Sequence, residues 1–341
     1  MTIQIIRYFA VALLVGIAAP AGAATPATAS ELGLMQGFPP PPDKLVTKSN
    51  WMQPPYNRWS LQHLREVLPT RLVSRGNGPV SALPEGTAVD LDGLVVKLAD
   101  GSTITVGDWL EKAYTDAIVV LHHGRIVYEH YFNGMTPASP HEMFSVSKSF
   151  AGVIVLMLMD QGKINADAPV SKYVPELSHS AYGDATVQQV LNMTVGIHFS
   201  EKYDDPDSDF TRYGYAAKAF TSPRGYTGPE SIYAYLPTLK KAGKHGKAFH
   251  YVSPDTEVLG WIVERITGMR WSDVVSKMLW SKLGAAYDGY YGLDSTGQEV
   301  VAGGFNFTAR DGARFGQMIL DRKSTRLNSS HSGESRMPSS A

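Results

Sequence analysis

The sequence contains no cysteine among its 341 residues, and only 18% of them are charged. Without cysteine there is no disulfide framework, no thiol nucleophile and no thiolate metal site. Any catalysis would therefore use hydroxyl, amine, imidazole or carboxylate groups. Charged residues usually make up about 25% of a globular domain, so this low share of charged residues predicts a large buried core and a surface with few charges.

The chain also lacks an excess of charge of either sign. It carries 31 basic and 32 acidic side chains, which gives a formal net charge of -1. This balance provides neither the basic surface that binds nucleic acid nor a basic face for an anionic membrane. We expect a small, weakly charged molecule as the partner and no nucleic acid. The sequence leaves the oligomeric state open.

Patterns for metal binding are missing as well. The HExxH zinc pattern begins at His141, but Ser145 occupies the place of its second histidine. The acidic residues 205–209 begin like a calcium loop but lack its glycine and its final glutamate. Two adjacent histidines within residues 116–132 lie between β-branched and aromatic runs, which predicts the turn of an antiparallel hairpin. The sequence therefore predicts no metal and no cofactor.

The N-terminus has the pattern of a secretory signal. Arg7 precedes an apolar run over residues 8–19, and small residues follow up to Ala23. The run is too short to span a bilayer. We expect residues 1–23 to be a signal peptide cleaved after Ala23, with a periplasmic or secreted product and no stable membrane span. A permanent anchor or a buried helix is the alternative.

The C-terminal composition changes abruptly. From Lys323 to Ala341, seven of nineteen residues are serine and hydrophobic periodicity disappears. The string resembles translated adapter sequence, so residues 323–341 are expected to be a non-native tail that replaces the natural frame near Arg322. The rest divides into an N-terminal arm over residues 24–84, rich in proline and tryptophan, and one domain over residues 85–322.

A serine and a lysine three residues apart carry the clearest chemistry. Ser145 and Lys148 precede eleven uncharged residues from Ser149 to Met159, and Gly162 stands where a helix cap is expected. These features predict a helix surrounded by protein. At its entrance, lost hydration and the positive helix end would both lower the pKa of Lys148. The neutral amine could then take the serine proton, whereas an ordinary surface lysine is the alternative.

A tyrosine motif lies farther along the chain. Tyr251 and Ser253 precede a predicted amphipathic helix that ends at Gly268. A tyrosine at such a junction can place its phenol in a cleft, where a neighbouring ammonium group would lower its pKa and let it transfer protons. A tyrosine that is half-buried for packing is the alternative.

Four ordered motifs together resemble the beta-lactamase-related superfamily of serine hydrolases. This group contains class C beta-lactamases, DD-peptidases, esterases and 6-aminohexanoate-dimer hydrolases. The motifs are FSVSKSF, TVQQVLNMTVGI, FHYVSPDTEVLGWIVERITG and GGFNFTARDGARFG. The sequence is most similar to the nylon-oligomer hydrolase and esterase branch, because Ser253 stands where cephalosporinases have asparagine. The resemblance implies an α/β (α+β), beta-lactamase/transpeptidase-like fold in which an antiparallel sheet domain lies beside an all-helical domain.

The resemblance also implies roles for individual residues. Ser145 would be the acylated nucleophile, Lys148 its proton acceptor, and Tyr251 the group that protonates the leaving group and activates water. Substrate-binding positions in the cleft are implied at Tyr203, Ser253 and Asn306.

The resulting hypothesis is a serine hydrolase that cleaves an ester or amide bond through a covalent acyl-enzyme. A beta-lactamase and a D-peptidase are alternative enzymes, because the same three residues serve all these reactions. The contrasting hypothesis is a non-catalytic envelope protein that binds peptidoglycan or a partner. A binding protein gains nothing from a buried lysine beside a serine, which favours the enzyme.

The tail leads to a first prediction. Thr308 and Asp311 form a capping box that starts a helix, and members of the family continue after it with strands, one of which supplies the second oxyanion donor. Losing one such donor costs about 10² to 10³ in rate. We therefore expect the 341-residue chain to be close to inactive, and the gene product read beyond Arg322 in its natural frame to be faster by at least that factor. Equal ester hydrolysis by the two proteins would contradict this expectation.

Overall fold

A computed structural model describes residues 26–321 of the chain. The predicted signal peptide and the predicted non-native tail lie outside the described residues. The strands are β1 (Thr70–Val73), β2 (Val95–Lys97), β3 (Thr103–Thr105), β4 (Ala117–His122), β5 (Arg125–Tyr131), β6 (Pro140–Glu142), β7 (Gly289–Gly292) and β8 (Phe305–Thr308). The α-helices are α1 (Asn57–Ser60), α2 (Val106–Lys112), α3 (Ser147–Asp160), α4 (Val187–Leu191), α5 (Asp209–Ala216), α6 (Ile232–Tyr235), α7 (Ser253–Thr267), α8 (Trp271–Val275), α9 (Ser281–Leu283) and α10 (Ala309–Leu320).

Four strands form an antiparallel sheet in the order β1-β7-β8-β6. Every residue of β7 and β8 is buried, and the ring of Tyr291 stacks on that of Phe305. In the register of β6 against β8, Glu142 lies opposite Asn306. This pairing holds the segment that leads to Ser145 against the centre of the sheet.

Strands β4 and β5 form a separate antiparallel hairpin, as the sequence predicts. Its turn residues His123 and Gly124 have φ values of 49° and 73°. Two successive left-handed residues are typical of a type I′ turn, whose twist matches that of the strands. His123 is exposed at the tip, and residues 26–321 contain no group of three or more His, Asp or Glu side chains that could hold a metal.

The two longest helices, α3 and α7, also follow the sequence signals. Gly162 lies just beyond α3 with a φ of +68°, and Gly268 ends α7 with a φ of +66°. Glycine tolerates this left-handed conformation, which ends a helix. Pro254 occupies the first turn of α7, where its missing N–H costs no hydrogen bond. No helix in the described part of the chain has the length and apolar character needed to cross a membrane.

One hydrophobic core joins the helices to the sheet. Phe150 of α3 contacts the rings of Phe305 and Phe307 on β8 at centroid distances of 4.9 and 5.4 Å. It also stacks on Phe315 of α10 at 3.9 Å. The Thr308 hydroxyl accepts the backbone N–H at the third position of α10, which confirms half of the predicted capping box; the Asp311 carboxylate instead accepts the backbone N–H groups of Ala286 and Tyr287. Because aromatic side chains bury large areas, this cluster fixes α3 against β8.

The N-terminal arm packs against both the helical part and the sheet. The indole N–H of Trp51 donates to the Ala219 carbonyl at 2.8 Å. Trp51 and Leu64 form a second hydrophobic cluster with Tyr290 of β7. The arm is therefore part of the folded body.

A buried ion pair connects the arm to the strand before the nucleophile. The Arg58 guanidinium donates to Asp116 at 2.8 Å, and the His141 ring lies 3.2 Å from the other carboxylate oxygen. Arg58 and Asp116 are each 9% exposed. Their charges are thus compensated within the protein, as buried charges require.

Gly260 of α7 provides a test of how closely this helix packs. A Cβ atom at position 260 would lie 2.7 Å from a methyl carbon of Val301, whereas one at Gly316 of α10 would meet nothing within 4 Å. We predict that Gly260→Ala destabilises the fold by about 1 to 3 kcal/mol through overpacking. Gly316→Ala should stabilise it by about 0.5 to 1 kcal/mol through helix propensity. Urea denaturation checks both values, and a stabilising Gly260→Ala would contradict the close approach.

Candidate active site

Ser145 lies in a short 3-10 turn, Phe144–Val146, that leads directly into α3. Lys148 is the second residue of α3, so its side chain lies one turn beyond the serine. The Lys148 amine and the Ser145 hydroxyl are hydrogen-bonded at 3.0 Å. The spacing of the two residues therefore brings them into direct contact.

The surroundings of Lys148 favour its neutral form. Loss of hydration lowers the pKa of Lys148 to about 8, although the negative charges of Glu201 and Glu257 act in the opposite direction. The amine also donates to the Ala302 carbonyl at 2.8 Å. A lysine with this pKa is partly neutral near pH 8 and can accept the proton of a serine hydroxyl.

Tyr251 completes the cluster from the start of α7. The Lys148 amine lies 5.2 Å from the centre of the Tyr251 ring, and the Tyr251 phenol interacts with the Ser145 hydroxyl. The expected lowering of the Tyr251 pKa by a neighbouring ammonium group is wrong. Burial raises the pKa, Glu201 adds to the rise, and the interaction with Ser145 offsets only part of it. The phenol therefore stays protonated at neutral pH and can act as a proton donor.

Glu257 is a neighbour of the cluster that the sequence analysis missed. This α7 carboxylate accepts the backbone N–H groups of Val301 at 3.0 Å and Ala302 at 2.9 Å, and also the Tyr213 hydroxyl. These bonds fix the backbone on the N-terminal side of the Ala302 carbonyl, which accepts from Lys148. Burial raises the pKa of Glu257 to about 7. A glutamate in the amphipathic helix was the one available signal, and it does not reveal partners 44 residues away.

Two predicted substrate-binding residues surround Glu201. Tyr203 is exposed, packs edge-on against Phe210, and is close enough to Tyr251 for the two phenols to interact electrostatically. Ser253 is only 3% exposed, and both its N–H and its hydroxyl donate to Glu201. The prediction that Ser253 lines the cleft therefore has to be corrected, because its polar atoms are hydrogen-bonded to Glu201.

Asn306 requires a similar correction. It lies on β8 with no exposed surface, and its side-chain N–H₂ group donates to Glu142 at 2.7 Å and to the Gly304 carbonyl at 3.1 Å. The prediction that it lines the cleft is wrong, because both faces of β8 are covered by protein. Its side-chain amide instead donates a hydrogen bond to the carboxylate of Glu142.

Comparisons with known proteins extend over most of the chain. A profile of the family described as Beta-lactamase matches residues 108–339. The 6-aminohexanoate-dimer hydrolase of Paenarthrobacter ureafaciens is 40% identical over 275 residues, which cover 81% of this chain and 67% of the relative. A solved structure from Bacillus anthracis, described as a candidate 6-aminohexanoate-dimer hydrolase, superposes with a TM-score of 0.78 at 32% identity and covers 86% of this chain and 78% of that one. Protein flp of Staphylococcus aureus strain MW2 is 24% identical over 144 residues, 41% of this chain and 26% of that protein.

The charge of Glu257 gives a prediction for the pH dependence of Ser145. Glu257→Gln removes a negative charge that raises the pKa of Lys148, so this pKa should fall below about 8. The rise with pH in the rate of Ser145 labelling by a fluorophosphonate should then move to lower pH. Mass spectrometry of the labelled peptide measures that rate. The control is Glu264→Gln on the same helix, which should leave the midpoint in place, and an unmoved or higher midpoint for Glu257→Gln would contradict the prediction.

Proposed function

The chain belongs to the beta-lactamase family of serine hydrolases, and on that premise we propose that it cleaves an ester or amide bond through a covalent acyl-enzyme on Ser145. The observation that carries the proposal is the 3.0 Å contact between the Ser145 hydroxyl and the Lys148 amine. An amine with a pKa of about 8 can take the hydroxyl proton while the serine oxygen attacks the carbonyl carbon. The Ala302 carbonyl keeps the amine in place during this transfer.

Tyr251 acts when the leaving group departs. As the tetrahedral intermediate collapses, the phenol gives its proton to the leaving oxygen or nitrogen and regains one from the Lys148 ammonium group. In the second half, the same groups take a proton from the attacking water and return one to the Ser145 oxygen as the acyl bond breaks. The raised pKa of Tyr251 suits the first of these steps, because a phenol that stays protonated can donate.

We propose short, open-chain amides or esters as the substrates. The 40% identical relative is a 6-aminohexanoate-dimer hydrolase, whose name describes a small linear substrate. A beta-lactam is a weaker candidate, because the hydroxyl of Ser253 is already bonded to Glu201 and offers no donor for the side-chain amide of such a ligand. The D-peptidase reaction remains the second enzymatic candidate.

A binding role without catalysis is disfavoured by the same contact. Placing an amine away from water beside a serine costs stability, and a binding surface obtains no benefit from that cost. Export is a further part of the proposal and depends on the signal-like residues 1–23. N-terminal sequencing of the protein recovered from cell fractions tests it.

Acylation of Ser145 is the direct test of the mechanism. Quenched reactions with a p-nitrophenyl ester should show the mass of the acyl group on the peptide that contains Ser145, and Ser145→Ala should abolish it. Lys148→Met should slow acylation by about 10² to 10⁴, the usual value of a general base. The rate should rise with pH through about 8, where the Lys148 amine becomes neutral.

A matched serine supplies the control for this experiment. Ser149 is exposed on the same helix, so Ser149→Ala should acylate at the rate of the unchanged chain. An acyl group found on any residue other than Ser145 would overturn the mechanism. The same assay with nitrocefin ranks the substrates, and faster turnover of nitrocefin than of the ester would overturn the preference for open-chain substrates alone.

A further inference from the structure

Glu142 is a buried carboxylate beside the nucleophile that takes no part in the proton transfers described above. It ends β6, three residues before Ser145, and is 3% exposed. One carboxylate oxygen accepts the Phe144 N–H at 2.8 Å, and the other accepts the Asn306 side-chain N–H₂ group at 2.7 Å. Both oxygens are therefore bonded within the protein, and the group does not face the substrate.

The residue that Glu142 binds has an unusual backbone conformation. Phe144 has a φ of +41°, in the left-handed region that bulky residues avoid for steric reasons. Its side chain is 39% exposed. Backbone bonds on both sides hold the segment, because Met143 donates to the Phe305 carbonyl at 3.1 Å and Val146 donates to the Met143 carbonyl at 3.0 Å.

The conformation of Phe144 controls the orientation of Ser145. The peptide plane between these two residues carries the Ser145 N–H, and its direction follows from the backbone angles of Phe144. A return of Phe144 to a negative φ would turn this plane, with two consequences. The Ser145 N–H, which the acylation mechanism can use as a donor to the developing oxyanion, would change direction, and the hydroxyl would move from its 3.0 Å contact with Lys148.

We propose that Glu142, which is hydrogen-bonded to Asn306, is a positioning residue. It holds Phe144 in the left-handed conformation and thereby sets the orientation of Ser145. The inference rests on the proposed acylation of Ser145. It also gives Asn306 a function at a distance from the substrate, since this side chain connects Glu142 to the centre of the sheet.

The bonding pattern explains why a carboxylate is required. The Asn306 side-chain N–H₂ group donates to Glu142 and to the Gly304 carbonyl, which fixes its orientation. The side chain at position 142 therefore faces two donors, the Asn306 N–H₂ group and the Phe144 N–H. A carboxylate accepts from both, whereas an amide must turn its own N–H₂ group toward one of them.

A double-mutant cycle tests the proposal. The rate of Ser145 labelling by a fluorophosphonate is measured for the unchanged chain, for Glu142→Gln, for Phe144→Gly and for the double variant. Glu142→Gln alone should slow labelling by about 10- to 100-fold, because the serine is misaligned. In the Phe144→Gly background the same change should cost less than about threefold, because glycine adopts a positive φ without steric cost. Equal losses in the two backgrounds would overturn the proposal.

Controls separate positioning from general structural damage. Glu264 also accepts a backbone N–H, that of Trp271 at 2.8 Å, and its other hydrogen bonds are with Tyr233 and Gln298, so any effect of Glu264→Gln should be the same in both backgrounds. If Glu142→Gln does not fold, Glu142→Asp takes its place. It keeps the charge but is too short to reach both donors, so the same background-dependent loss is expected.

The outcomes also distinguish this inference from the proposed function. Absence of labelling in both the 341-residue chain and the gene product read in its natural frame, or labelling that survives Ser145→Ala, would refute the acyl-enzyme proposal and this inference with it. Normal labelling of Ser145 that is unaffected by Glu142→Gln would refute the positioning role of Glu142 alone.

Discussion

An amine held out of water beside a serine hydroxyl is the constraint on which the rest of the site depends. The lost hydration of Lys148 lowers its pKa to about 8, and the charges of Glu201 and Glu257 limit that effect, while the Ala302 carbonyl accepts a hydrogen bond from the amine. These compensating groups belong to α7, to the loop before β8 and to the loop that carries Glu201. The ring contacts of Phe150 with Phe305 fix β8 against α3, and the shared hydrophobic core packs α7 with them.

Local signals predicted a substantial part of this arrangement. The hairpin turn, the glycines that end α3 and α7, and the contact of Ser145 with Lys148 all depend on residues a few positions apart. The interactions that form these features involve residues within one turn or one helix, so a single sequence is enough to predict them. The family resemblance added Tyr251, whose distance of about a hundred residues from Ser145 no periodicity could bridge.

The errors have a common physical cause. Ser253 and Asn306 were both expected to face the substrate, and each instead donates to a buried or half-buried glutamate. A motif gives the position of a side chain along the chain, but its hydrogen-bond partner depends on elements brought together by the fold. Glu142 and Asn306 are 164 residues apart, and only the β6–β8 pairing makes them neighbours. The rise in the Tyr251 pKa was missed for the same reason, because burial is a property of the assembled structure.

The ion pair between Arg58 and Asp116 shows that the folded body extends beyond the residues that the family profile matches. The family match begins at residue 108, fifty positions after Arg58. A fragment cut at residue 108 would keep Asp116 and lose its guanidinium partner, and breaking a buried ion pair in this way costs about 3 to 5 kcal/mol. His141, which faces the same carboxylate, would then be its remaining neighbour in the strand before the nucleophile. The contacts that hold the fold together thus reach well N-terminal to the residues that the family profile matches, and libraries or fusions built on this scaffold should be designed from the arm onward.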